Sequence, residues 1–239
     1  MEEQWIEERP QRERRSAKHR AADAASAAPE PFRLSPEAVA EVEERAGRRS
    51  ERLVRYLREA SKAYAAERWS DAKKSLRPLL EAMPDAPSVR ELNGMVLYRT
   101  GKWAAALEEL QYAHLQTQSF DLYPVMMDCL RALRRYDEVE PLWEELRLAS
   151  PAAEVMAEGR IVMASALSDS GRVADGIRLL EKAPRPRSQP KLYHLRMWYV
   201  LGDLYDRGGD LGKARTTFER VALHDPELAD VLDRIDALR

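Results

Sequence analysis

One cysteine, Cys129, is all the chain contains, so no internal disulfide can form and a reducing compartment is its natural setting. Long apolar runs are missing as well. None approaches the roughly 18 residues that a spanning helix needs. The N-terminal segment is the most charged part of the chain and carries no apolar signal core, so a cytoplasmic location is expected. Histidines number only four, His19, His114, His194 and His224. None pairs with another at metal-ligand spacing, and neither HExxH nor CxxC occurs, so no metal is expected. There is no glycine-rich phosphate loop, and Gly208-Gly209-Asp210 reads as a turn. Cys129 lies in the apolar stretch Met126-Met-Asp-Cys-Leu130 and reads as a small buried hydrophobe with no histidine partner. The carboxylates follow solvated helix faces, as over residues 37–44. Catalytic residues and cofactors are therefore not expected, and an enzyme is not the reading. Charge of one sign is lacking too: 39 Lys and Arg stand against 41 Asp and Glu, a net of −2. That balance argues against a nucleic-acid binder held by the overall field.

What the chain does have is a repeat. Asn93-Gly94, Leu97, Gly101-Lys-Trp103, Ala106, Leu110 and Ala113 return as Leu201-Gly202, Tyr205, Gly209-Asp-Leu211, Ala214, Phe218 and Asp225-Pro226. Aligned on the small residue that opens each second helix, the copies centre on Ala72, Ala106, Val139, Gly176 and Ala214, at steps of 34, 33, 37 and 38 residues. Every periodic segment fits the helical period and none fits the strand period. A fixed period of this size means helix pairs stacked in an array. Small residues at Gly94, Ala106, Gly202 and Ala214 let helices approach, and Trp103, Leu110, Tyr205 and Phe218 fill the space beside them. Gly101, Gly171 and Gly209 stand where a helix stops and turns. Ser88-Val-Arg-Glu91 has the spacing of a capping box and Asp137-Glu-Val-Glu140 an acidic version of it. Ser150-Pro151 and Asp225-Pro226 place proline at a first helical position. Ala183-Pro-Arg-Pro-Arg-Ser188 reads as a proline-rich loop between repeats.

With Trp69 and Pro84 in the first copy, Trp143 and Pro151 in the third, and Trp198, Gly202, Tyr205 and Phe218 in the last, residues 51–228 resemble the tetratricopeptide repeat (TPR) family. The stretch from Val89 to Leu110, followed by Tyr123-Pro-Val-Met-Met-Asp-Cys-Leu-Arg-Ala-Leu133, looks like an actinobacterial branch of it from about Leu34 onward. The fold class this implies is all-α: a TPR-type α-solenoid of about five helix pairs. A disordered charged tail over residues 1–34 and a lead-in helix over 35–50 precede it. An amphipathic capping helix over 229–239 follows, with Val231, Leu232, Ile235 and Leu238 on its apolar side. The lead-in helix is expected to run from Ser35-Pro36 to about Ala46, stop at Gly47, and cap the first repeat through Val39 and Val42.

The resemblance also implies a function. First helices of TPR pairs line a concave groove through repeat offsets 2, 5, 9 and 12. Here those offsets hold Val54, Leu57, Ser61 and Tyr64, then Ser88, Glu91, Met95 and Tyr98, then Asp121, Pro124, Asp128 and Arg131. The fourth copy supplies Glu158, Ile161, Ser165 and Ser168, and the fifth Arg196, Tyr199, Asp203 and Asp206. The Lys and Asn positions of a chaperone-tail clamp are filled by Leu57, Ser61, Glu91 and Met95, so that partner is rejected. The expectation is a protein-interaction scaffold that binds a peptide or helix in the groove. Its partner-binding residues are Tyr64, Glu91, Tyr98, Asp128, Arg131, Arg196, Tyr199 and Asp203. Tyrosine and arginine are the usual interface anchors. If these side chains face solvent, replacing them leaves stability within about 0.5 kcal/mol. Tyr64 and Tyr98 have a competing role in packing. The alternative function is a regulatory subunit that binds nucleic acid or the ribosome through the tail, where Arg12, Arg14, Arg15, Lys18 and Arg20 interleave with Glu7, Glu8 and Glu13. Trp5, in the same tail, has no local core to join.

Overall fold

The computed structural model describes residues 34–238. The tail, with Trp5 and the basic cluster, lies outside the described residues. Among those residues there are helices and turns and no strand. A lead-in helix α1 (Pro36–Ala46) and a 3₁₀ turn (Gly47–Arg49) come first. Five helix pairs follow: α2 (Ser50–Ala65) with α3 (Trp69–Ala82), α4 (Pro87–Arg99) with α5 (Trp103–Thr117), α6 (Tyr123–Ala132) with α7 (Tyr136–Ala149), α8 (Ala153–Asp169) with α9 (Val173–Glu181), and α10 (Leu192–Arg207) with α11 (Leu211–Ala222). The last helix is α12 (Val231–Ala237).

One turn geometry joins the two helices of every pair. Its left-handed residue is Glu67, Gly101, Arg134, Gly171 or Gly209, with φ of 56°, 71°, 60°, 88° and 82°. In each turn the amide of the next residue bonds five back: Arg68 to Ala63, Lys102 to Leu97, Arg135 to Leu130, Arg172 to Leu167 and Asp210 to Tyr205, at 2.7–2.9 Å. The left-handed residue itself bonds three back. Together these are the two bonds of the Schellman motif, which satisfies carbonyls that a helix end otherwise leaves open. Glycine is expected at this position. Two copies instead hold Glu67 and Arg134 there.

Small-against-large packing closes each pair. A methyl group at Gly94 would come 2.8 Å from Leu110 Cγ, and one at Gly202 would come 2.9 Å from Phe218 Cε1. Ala72, Ala106, Val139 and Ala214 have no exposed surface. In the fourth pair both contact residues are small: a methyl at Gly176 would meet the Ala164 carbonyl oxygen at 2.7 Å. Two core clusters result. Helix α8 gives Val162, Met163, Ala166 and Leu167 to one and Ala157, Ile161 and Ala164 to the other.

Helix starts differ from the sequence expectations. Ser88 is no cap, because α4 begins one residue earlier, with Pro87 at its first turn and Ala86 at the N-cap. The Ser88 amide donates instead to Glu41 of α1, at 3.1 Å. Asp137 lies inside the first turn of α7, whose N-cap is Arg135. Pro151 precedes the start of α8 at Ala153, because Ser150 adopts the left-handed conformation that ends α7. Asp225-Pro226 belongs to a turn in which Asp225 Oδ1 accepts from the Glu227 amide at 3.0 Å. Pro78 and Pro141 sit inside second helices. On α12, Val231 and Ile235 are buried while Leu232 is exposed, so the apolar face is narrower than the pattern suggested.

Candidate functional site: the face of the first helices

The chemistry-bearing side chains of the first helices meet one another. Tyr98 of α4 donates to Asp128 Oδ2 of α6 at 2.5 Å. Arg131, one turn further on α6, donates from Nε to Asp128 Oδ1 at 2.8 Å and from Nη1 to Asp169 Oδ2 of α8 at 2.7 Å. Arg207 of α10 lies 3.4 Å from Asp169 and 2.7 Å from Asp203 of its own helix. Arg234 of α12 then bridges Asp203 at 3.0 Å and Asp206 at 2.9 Å. The result is a polar seam across α4, α6, α8, α10 and α12. Beside it, Arg196 of α10 pairs with Glu158 of α8 at 2.8 Å, and Tyr199 donates to Asp230 just before α12.

These partners explain the burial of the expected site residues. Tyr64, Tyr98, Asp128, Arg196, Tyr199 and Asp203 are buried, and Arg131 nearly so, with 13% of its side chain exposed. The premise that these side chains face solvent in the free protein is therefore corrected. A side chain at offset 9 or 12 fits into the crevice between its own first helix and the next. The two tyrosines of copies one and two also pack edge-on against the tryptophan that follows their turn. Tyr64 meets Trp69 at 5.3 Å and Tyr98 meets Trp103 at 5.4 Å between ring centres.

Electrostatics follow from this burial. Removal from water pushes the Tyr64 hydroxyl up to about 12, with Arg99 opposing. Burial opposes the Arg131 charge, but Asp128 and Asp169 outweigh it and raise the guanidinium above its usual value. Burial also lifts Glu158 to about 7 against the pull of Arg196. Glu91 is lifted to about 7 by burial and then by the like charges of Asp121 and Glu41. The buried Cys129 thiol is pushed up by burial and by Asp128, and so stays protonated.

Asp169, Arg207 and Arg234 were missed by the offset reading. Asp169 and Arg207 follow offset 12 directly, as Arg99 does in copy two. Charges of opposite sign at one repeat position in successive copies were the available signal. The seam keeps a wet edge: 28% of the Asp169 side chain, 31% of Arg207 and 35% of Asp206 are exposed. Among the described residues, no group of three or more His, Cys, Asp or Glu side chains could hold a metal ion.

Helical hairpins with one repeated turn, stacked so that their first helices share a face, define an α-helical repeat array. The tetratricopeptide repeat model matches residues 57–121 and 161–229, more than half of the chain, and the protein belongs to the tetratricopeptide repeat family. The unmatched middle contains the third pair, where Met127 replaces the small residue and Arg134 the turn glycine. A crystal structure of TTC0263, a thermophilic TPR protein in Thermus thermophilus, is similar in fold, with a TM-score of 0.58 at 18% identity. The match covers 78% of this chain and 98% of that one. No curated protein matches the sequence. No helix among the described residues is long and apolar enough to cross a membrane.

Proposed function

We propose that this chain is a protein-interaction scaffold that holds a peptide or helix against its first helices. Arrays of this family generally mediate protein–protein contacts, through the extended concave surface that stacking creates. The seam is the observation that carries the reading. Asp169, Arg207 and Asp206 form a row of charges with both signs, fixed in place by Arg131, Asp203 and Arg234. Rigid, partly wet charges suit recognition, since little side-chain freedom is left to lose on binding. Of the expected contact residues, Arg131 and Asp203 hold this row directly, and Asp128 and Tyr98 hold it through Arg131.

The test is a footprint. A partner captured by the full chain from native lysate should slow hydrogen exchange in α8 and α10. Asp206→Asn, which keeps an acceptor for Arg234, should weaken it at least tenfold, more than any loss of stability measured in parallel by urea denaturation explains. Protection confined to the second helices would refute the groove. A steep loss of binding with salt that depends on residues 1–34 would favour the nucleic-acid alternative.

A further inference from the structure

Helix α1 covers the first pair and reaches the second as well. Its main contacts are with the adjoining 3₁₀ turn and with α2 and α4, both first helices, so it lies along the face expected to be the groove. Its two buried residues, Ala38 and Val42, share one core with Val54 and Leu57. Those are the groove positions at offsets 2 and 5 of the first copy, and Leu57 is fully covered. At the next copy, Glu41 Oε2 accepts from the Ser88 amide at 3.1 Å, an acid at the positive end of α4. Arg45 reaches Asp85 at 3.1 Å. Ala38, Glu41, Val42 and Arg45 are spaced i, i+3, i+4 and i+7, which is one helix face and the pattern of a helix bound in a groove.

The hold is light. Two of the eleven residues of α1 are buried, against seven in α2. The helix joins the array through Gly47, at φ 50° with open space around it, which suits a hinge. A cleft of about 600 Å³ remains between α1 and Pro87, Ser88, Glu91 and Thr117. Glu91 lines that cleft together with Glu41 of α1, so the floor beneath this part of the helix is polar and incompletely packed.

We propose that α1 is an intramolecular occupant of the N-terminal end of the groove and exchanges for an amphipathic helix of another protein. That helix presents the same face: a small residue, an acid three on, an aliphatic residue four on and an arginine seven on. This inference rests on the groove reading above. It converts part of that groove into a surface shut by the chain itself.

The probe is a fluorescent synthetic peptide of residues 34–49, added to the full-length protein. Val42→Asp in the protein unseats α1 and should tighten peptide binding at least tenfold over the parent. Arg45→Glu should give a smaller gain. A peptide carrying Val42→Asp should not bind. Equal peptide affinity for the parent and for both folded variants overturns the proposal. Hydrogen exchange on the unmodified chain covers the case in which Val42→Asp fails to fold. Amides of α1 should exchange at least tenfold faster than those of α2 and α4, and equal protection overturns the proposal. A dimer that the peptide dissociates would make a second copy the occupant, which also overturns it. The two readings fail separately. Loss of peptide binding with an intact α8 and α10 footprint removes only this one, and the reverse pattern removes only the seam.

Discussion

At the residue scale, the five inter-helix turns make a controlled comparison. Gly209 adopts φ 82° and a methyl group added there would meet nothing within 4 Å, so Gly209→Ala isolates backbone strain from packing. It should cost roughly 1–2 kcal/mol, the usual penalty of a left-handed L-residue. Glu67→Gly and Arg134→Gly should relieve the same strain, partly offset by the freer unfolded chain, for a net gain of up to about 1 kcal/mol. Urea denaturation of the three variants checks this, and a loss at Arg134→Gly would contradict it. Packing makes a second prediction. Ala106→Leu and Ala214→Leu put side-chain volume into sites with no exposed surface and should destabilise by roughly 1–3 kcal/mol. Parental melting in both would refute the helix contact. Glu91 supplies the pH dependence. Its folded carboxyl titrates at about 7, raised from 4.5, so the folded state holds a proton that the unfolded state has already released. The stability contribution is present below about 4.5 and lost as pH rises through 7. Between pH 5 and 8 the parent should therefore lose stability relative to Glu91→Gln, and parallel melting curves would contradict this.

At the element scale, the helix pairs were legible because period, turn glycines and small-large alternation all express one packing rule. The caps were less so. Ser88-Val-Arg-Glu91 satisfies the capping-box spacing, yet Pro87 starts α4 earlier and α1, distant in sequence, supplies Glu41 to the Ser88 amide. Tertiary context of that kind leaves no local trace. The first-helix offsets named Tyr98, Asp128, Arg131, Arg196, Tyr199 and Asp203, with Tyr64 and Glu91, as contact residues, and the structure gives the first six polar partners within the stack. They could not reveal the partners that come from helices 30 or more residues away: Asp128 for Tyr98, Asp169 for Arg131, Glu158 for Arg196 and Asp230 for Tyr199. Consequently Arg131→Ala and Arg196→Ala should not behave as exposed substitutions. Each strands a buried or nearly buried acid, Asp128 or Glu158, and should cost on the order of 3 kcal/mol. Chemical denaturation showing a loss within about 0.5 kcal/mol would place these side chains in solvent after all.

At the scale of the whole molecule, the stack is tied twice: by apolar packing within each pair and by a polar seam between successive first helices. The seam crosses α8, where the two core clusters meet, so Asp169 joins the halves through Arg131 on one side and Arg207 on the other. A double-mutant cycle of Arg131→Met and Asp169→Leu, read by urea denaturation, tests this coupling most directly. The expected coupling energy is about 1–3 kcal/mol, the range for groups in one charged network. Additive effects within about 0.3 kcal/mol would show that the two residues are neighbours without being partners, and that no seam ties the array together.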